Sequence, residues 1–203
     1  MSSSAPATPP PAPPSRRRLR LVRILTLVIV AGAFVGTLYL LGDPARRQQL
    51  AEWVESPGGL TVLFAISAIS SATLLLPVPG LALTALAATV ASPLLVGIVA
   101  GAGQTLGEMT GYLVGYSGQT LIDNRPRYGR LVAWMRRYGP LTIFVLALIP
   151  NPLFDVAGVI AGALRMQVWT YLLAAGAGKI LKNIAVAYGW TLGLEWLQQL
   201  AGG

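Results

Sequence analysis

Four ionisable residues stand inside long apolar stretches of this 203-residue chain: Glu108, Asp155, Lys179 and Lys182. A charge placed centrally in a membrane helix costs about 2.5–3.5 kcal/mol on insertion scales, so it faces a cavity or a partner unless it ends the helix at headgroup water. Glu108 sits in Gly103-Gln-Thr-Leu-Gly-Glu-Met-Thr-Gly-Tyr-Leu-Val-Gly115, where Gly107 and Gly111 permit close backbone approach and Tyr112 is one turn away. Asp155 follows Asn151-Pro-Leu-Phe, where a carboxylate can cap the next half-helix, counter its dipole, or hold a cation or proton. Asn151, between two prolines, adds an uncharged donor and acceptor. Lys179 and Lys182 are one turn apart beside Asn183. As compact point charges they can neutralise the two acids, cradle a phosphate, or snorkel to an interface. Lys182 is the leading partner for Glu108. Together these residues read as a substrate or ion pathway.

Other chemistry is excluded by what the chain lacks. There is no Cys and no His, so disulfides, thiolate metal sites, Ser-His-Asp catalysis and histidine zinc sites are ruled out. No metal, no cofactor and no enzyme activity is expected. The net charge of +8 does not indicate nucleic-acid binding, because the arginines cluster beside apolar spans. Arg16, Arg17, Arg18, Arg20 and Arg23 abut one, and Arg125, Arg127, Arg130, Arg136 and Arg137 fill the longest polar loop. Such clusters orient membrane helices and attract anionic lipid.

The elements that must position the pathway residues are helices in a bilayer. Hydrophobic residues make up 54% and charged ones 11% of the chain, a balance rare in soluble domains. Ser56 to Gly107 is a run of 52 residues without a charge, more than two spans' worth. Two breaks interrupt the apolar sequence, Leu74-Leu-Leu-Pro77-Val-Pro79 and Leu148-Ile-Pro150-Asn-Pro152, and each is followed by Gly-Ala-Gly, at 101–103 and 176–178. The copies are offset by 73 residues at the prolines and 75 at Gly-Ala-Gly. A duplicated broken hydrophobic element points to a transporter-like core. At an offset of 75, Lys179 aligns with Gln104, Lys182 with Gly107 and Asn183 with Glu108.

The expected class is all-α: a polytopic helical membrane protein with an inverted repeat of two re-entrant, Pro-x-Pro-broken hairpins and transmembrane helices. Residues 1–15 read as a disordered Pro/Ser-rich tail, 16–42 as a basic flank and first transmembrane helix, and 43–57 as an external interfacial connector. Repeat 1 covers 58–118, a cytoplasmic basic amphipathic loop 119–138, and repeat 2 covers 139–203. Within the loop, Tyr128, Leu131, Val132 and Met135 form one stripe at helical spacing, with Arg127, Arg130, Arg136 and Arg137 available to anionic lipid. The positive-inside rule places the N-terminus and 119–138 in the cytoplasm and 43–55 outside. That forces an odd number of crossings between 58 and 118. Pro93 to Gly115 supplies one, so 59–91 enters and returns on one side, or crosses twice with a short second span. Gly139 to Leu164 is the same device entering from the other side. Two kinked ordinary spans are the alternative.

These residues resemble the DedA / SNARE-associated (VTT-domain) family of membrane proteins. The resemblance rests on Pro77-Val-Pro-Gly80, Gly107-Glu108-x3-Tyr112-x2-Gly115-x2-Gly118, Tyr138-Gly139-Pro140, Ile149-Pro-Asn-Pro152 and Ala161-Gly-Ala-Leu164. It implies two re-entrant hairpins pointing at each other and a flippase or scramblase activity. The implied partners are membrane lipids, either an anionic phospholipid or a polyprenyl phosphate, sometimes with proton or sodium coupling. Bacterial DedA members carry an acid after the first break and arginines flanking the second. Here Leu81, Ala147 and Leu153 occupy those places, which draws the chain towards the SNARE-associated branch. An ion- or proton-coupled solute transporter and a non-transporting membrane organiser are the alternative functions. The expected location is a bacterial plasma membrane.

Overall fold

The computed structural model describes residues 43–72, 79–118, 129–150 and 153–201, with Val28, Ala31, Gly32, Val35, Gly36 and Tyr39 ahead of them. The tail, the basic flank and Pro77, Arg125, Arg127, Tyr128, Asn151 and Pro152 lie outside the described residues. Among the described residues there are helices and no strand.

Proline and serine start the first elements. Helix α1 (Pro44–Glu55) meets α2 (Pro57–Ala72) at a bend of 76°. Ser56 causes it: its Oγ accepts from the Gly59 N–H at 3.1 Å, capping α2, while Pro57 takes the first helical position, where a missing N–H costs nothing. Gly59 packs against the Trp53 carbonyl, where a Cβ would collide. Helix α3 (Pro79–Ala88) starts on the second proline of the first break, and α4 (Pro93–Gly107) starts on Ser92-Pro93. α4 passes into α5 (Met109–Ser117) through Glu108, which keeps right-handed helical angles (φ −68°, ψ −12°); its N–H donates to Gln104 O at 3.1 Å and its carbonyl accepts from the Tyr112 N–H at 3.4 Å, so the helical path continues from Pro93 to Gly115 through one slackened turn.

Helix α6 (Gly129–Leu148) joins the basic segment to an apolar one through a kink at Tyr138 (φ −133°, ψ 38°), next to Gly139 and Pro140. Met135 is buried, Leu131 and Val132 are half-buried, and Arg130, Arg136 and Arg137 are exposed. Helix α7 (Leu153–Ala163) ends in a Schellman arrangement, in which Met166 N–H donates to Ala161 O at 3.0 Å and Arg165 N–H to Gly162 O at 2.9 Å. The left-handed position is filled by Arg165 (φ 53°), where glycine is usual. Helix α8 (Val168–Ala201) has 34 residues, about 51 Å at 1.5 Å per residue.

Glycine contacts fix how the helices run. Gly97 meets Ile184 and Gly101 meets Ile180, so α4 and α8 are antiparallel. Gly103 lies under the Phe64 carbonyl and Gly107 under that of Ala68, so α2 runs parallel to α4. α3 returns: Gly80 is level with Gln104, while Ala88 clusters with Val96 and Ala187. In the other half, Gly178 of α8 packs on Phe144 and Ala147 of α6. α7 then runs back, from Phe154 beside Lys179 to the turn at Met166, whose carbonyl accepts from Tyr112. Gly115 against Val159 and Gly162 against Tyr112 join α5 to α7 backbone to backbone. Small residues allow this approach, which is how helices associate where apolar surface alone gives no driving force.

Two apolar clusters result. One contains Leu63, Ala88, Val96 and Ala187, and the other contains Met135, Ile143, Ile160 and Tyr171. Leu106, Leu113, Leu173 and Leu181 remain exposed on the outside. Gly129–Leu148 is long and apolar enough to cross a membrane, and the bent pair Gln48–Glu55 with Pro57–Ala72 qualifies if counted as one span. Charge separates along the bundle. Exposed Arg130, Arg136, Arg137 and Arg165 occupy the end with the Tyr138 kink and the α7–α8 turn. Exposed Glu52, Glu55 and Glu195 occupy the opposite end, where Glu55 accepts from the Ser92 N–H at 2.8 Å and Glu195 lines a groove with Thr89 and Pro93. Arg46 and Arg47 are on α1 at the same end.

Candidate functional site

Between the two apolar clusters lies a polar layer where α4 crosses α8. Asn183 is fully buried and fully engaged. Its Nδ2 donates to Gln104 Oε1 at 3.0 Å and to the Lys179 carbonyl at 2.8 Å, while its Oδ1 accepts from Gln104 Nε2 and Thr84 Oγ1, each at 3.0 Å. Thr84 belongs to α3, so that helix is tied to the crossing one turn after it begins. One turn further along α4, Lys179 Nζ forms a buried ion pair with Glu108 Oε1 at 2.5 Å. Lys179 Nζ also stands 4.4 Å from the centroid of the Phe154 ring, so α7 supplies an aromatic face for the ammonium.

The 75-residue offset carries Gln104 onto Lys179 and Glu108 onto Asn183. The pair Gln104–Asn183 therefore maps onto the pair Lys179–Glu108. Gly101–Ile180 likewise maps onto Gly176–Thr105, and both contacts are present. This is the pattern of an isologous contact, where residue i of one element meets j of the other and the equivalent of j meets that of i. One copy is held by a neutral amide pair, the other by an ion pair.

Asp155 is half-buried and lies inside the first turn of α7, where its charge opposes the helix dipole. Its carboxyl interacts electrostatically with Glu108, Lys179 and Lys182. Tyr112 is buried with its ring 5.0 Å from that of Tyr171, and its hydroxyl donates to Met166 O at 2.5 Å. Tyr112 thus braces the α7–α8 turn. Tyr171 donates to the Glu108 carbonyl at 3.4 Å, at the point where α4 gives way to α5.

The structure brings Glu108, Asp155, Lys179, Lys182 and Asn183 into one layer, with Tyr112 at its margin. The partner of Glu108 is Lys179, not the favoured Lys182. Of the break residues, Pro79 opens α3 and Pro150 is exposed past the end of α6. Arg130, Arg136 and Arg137 are at the basic end, away from the layer. Sequence reasoning did not single out Thr84, Tyr171 or Phe154, and noted Gln104 only as the counterpart of Lys179. That correspondence was a usable signal, because a polar residue equivalent to a charged one belongs at the same crossing. Among the described residues no group of three or more Asp or Glu could hold a metal ion.

A profile of the VTT domain matches residues 78–192. The chain is 34% identical over 59 residues to the vacuole membrane protein KMS2 of Arabidopsis thaliana, covering 27% of this chain and 14% of that protein. It is 45% identical over 40 residues to the vacuole membrane protein KMS1 of the same plant, covering 20% of this chain and 10% of that protein. The matched stretches are thus a small part of both relatives. No solved structure matches the chain.

Proposed function

The chain belongs to the VTT-domain family, a family of membrane proteins, and on that premise we propose that it translocates lipid headgroups across a bilayer. The observation that carries this reading is the buried polar layer at the depth where two helical hairpins end. The α2–α3 pair leaves the acidic end and returns to it, and the α6–α7 pair does the same from the basic end. α3 has 10 residues and α7 has 11, about 15–17 Å each, or half of a ~30 Å hydrocarbon core. With the layer near the midplane, each hairpin is re-entrant and the two copies form an inverted repeat. The exchanged contacts Gln104–Asn183 and Lys179–Glu108 support that symmetry.

The physical task is to lower the cost of removing a polar headgroup from water. Helix breaks at membrane depth persist where protein or a wet gap satisfies the freed backbone groups. A headgroup passing between the hairpins exchanges water for these groups and for the side chains of Glu108, Asp155, Lys182 and Asn151, while its acyl chains stay in lipid. The substrate class is a phospholipid or polyprenyl phosphate. The basic end, with Arg130, Arg136 and Arg137, is the cytoplasmic one by the positive-inside rule, and enriches anionic lipid there. A bacterial plasma membrane with a cytoplasmic N-terminus completes the reading. The closeness of the Glu108 and Asp155 carboxyls favours a second reading, proton or sodium coupling of transport.

Purified protein in liposomes should accelerate exposure of an inner-leaflet fluorescent phospholipid or polyprenyl phosphate. Rates equal to protein-free liposomes for both classes, with and without proton and sodium gradients, refute translocation.

A further inference from the structure

A groove at the acidic end lies apart from the buried layer. Helices α3 and α4 are joined by the short turn from Thr89 to Ser92, and α8 passes this turn on its way out of the bundle. Between them is a cavity of about 380 Å³, within the range of small-molecule sites. Thr89, Val90 and Pro93 belong to one wall, and Tyr188, Leu192 and Glu195 of α8 to the other. Glu195 is 12 residues beyond Asn183, about 18 Å along the axis of α8. With the layer near the midplane, that is just outside the ~15 Å half-thickness of the hydrocarbon core. The groove therefore lies at headgroup level, within reach of water and of lipid headgroups.

The groove presents negative charge with no cation to match it. Glu195 is exposed and makes no hydrogen bond or ion pair among the described residues, and no Lys or Arg lines the groove. The end of α3 adds to the field. In a continued helix the Ser92 N–H would serve the Ala88 carbonyl, and the N–H of residue 93 would serve that of Thr89. The Ser92 N–H donates instead to Glu55, at 2.8 Å, and residue 93 is a proline, which has no N–H. The Val90 and Ala91 N–H groups both return to the Ala87 carbonyl. The carbonyls of Ala88 and Thr89, both groove residues, are thus left open at the negative end of the α3 dipole. No basic side chain stands in the last turn of α3 to answer them.

These features select the ligand. An anion is repelled by Glu195. A hard metal ion wants several carboxylates or other oxygens, and among the described residues no group of three or more Asp or Glu could hold one. Much of the wall is carbon instead: Val90, Pro93, Leu192 and the ring of Tyr188, which is 44% exposed. A cation with carbon substituents answers both demands. Its charge is met by Glu195 and the open carbonyls, and its alkyl groups by the aliphatic wall and the aromatic face. We propose that this groove binds an organic ammonium ion, with Glu195 as its counter-charge and Tyr188 as its aromatic wall. The proposal stands on the groove alone and holds whether or not the chain moves lipid. The ammonium belongs either to a free cation or to the headgroup of a lipid in the adjacent leaflet, and competition between the two decides which.

The test uses the full chain in an uncharged maltoside detergent, with choline as the probe and saturation-transfer NMR as the readout. The control ligand is dimethylbutanol, the neutral analogue in which carbon replaces the nitrogen at nearly the same shape. Wild type should bind choline, and bind the analogue at least about fivefold more weakly. Glu195→Gln should weaken choline at least about fivefold, the effect of losing one charge-assisted contact, and leave the analogue unchanged. Tyr188→Leu should weaken choline about two- to fivefold, whereas Tyr188→Phe, which keeps the ring, should not. Absence of choline binding overturns the proposal. So does equal affinity of wild type for choline and its analogue, a comparison that needs no variant, or equal choline affinity of wild type and Glu195→Gln. In phosphatidylglycerol nanodiscs, loss of the choline signal on adding phosphatidylcholine supports a lipid headgroup as the occupant, and an unchanged signal supports a free cation.

Discussion

Replacing the ion pair Lys179–Glu108 by the amide pair that stands at the 75-residue offset, Gln104–Asn183, separates structure from function at the crossing. Glu108→Asn alone leaves the Lys179 ammonium buried, with Phe154 beside it and no carboxylate at 2.5 Å. Removing one partner of a buried pair costs about 3–5 kcal/mol, a large part of the 5–15 kcal/mol that holds a typical domain. Adding Lys179→Gln makes this crossing chemically the same as the Gln104–Asn183 crossing, whose two amides already satisfy each other at 3.0 Å in both directions. The double variant should therefore recover to within about 1 kcal/mol of wild type, since replacing both members of a buried pair is often close to neutral. Tryptophan fluorescence during thermal unfolding in detergent reads stability, and the liposome assay reads transport. The expected result is a destabilised single variant and a stable double variant with little or no lipid movement. A double variant as unstable as the single one refutes the equivalence of the two contacts. Wild-type transport by the double variant shows the charges to be structural alone.

Gly115→Ala should destabilise by about 1–3 kcal/mol, because the new methyl collides with the Val159 carbonyl, whereas Gly189→Ala, with nothing within 4 Å, should stabilise by up to about 1 kcal/mol; equal melting shifts for the two would show that α5 and α7 are not in contact. Arg165→Gly should melt higher than Arg165→Ala, because both lose the side chain's contacts, the cation–π contact over Tyr116 among them, and only glycine relieves a left-handed strain worth about 1–2 kcal/mol; equal melting temperatures would show that the turn at 165 carries no strain. In this cysteine-free chain, Glu195→Cys should react with an impermeant reagent added to intact cells and Arg137→Cys should not; the reverse labelling inverts the orientation.

Much of this protein is legible before any packing is known. The proline positions fix where α2, α3 and α4 begin, because proline suits a helix start and obstructs an interior. The repeated Gly-Ala-Gly and the 75-residue offset identify which positions are equivalent, and the scarcity of charge identifies the few that matter. Tertiary structure decides what each of those residues touches. In each Gly-Ala-Gly the first glycine faces across the α4–α8 crossing, Gly101 to Ile180 and Gly176 to Thr105, while the second lies under a phenylalanine carbonyl, Gly103 under Phe64 of α2 and Gly178 under Phe144 of α6. Lys179 and Lys182 are three residues apart, which puts their side chains about 60° apart around α8. Sequence spacing cannot say from which side α4 arrives, so it could not choose between them as the partner of Glu108. The approach of α4 is fixed by Gly97 and Gly101 against Ile184 and Ile180, a contact between segments some 80 residues apart. Thr84, Tyr171 and Phe154 enter the layer for the same reason: their types are ordinary in apolar helices, and only the phase of each helix against its neighbour turns them towards the buried charges.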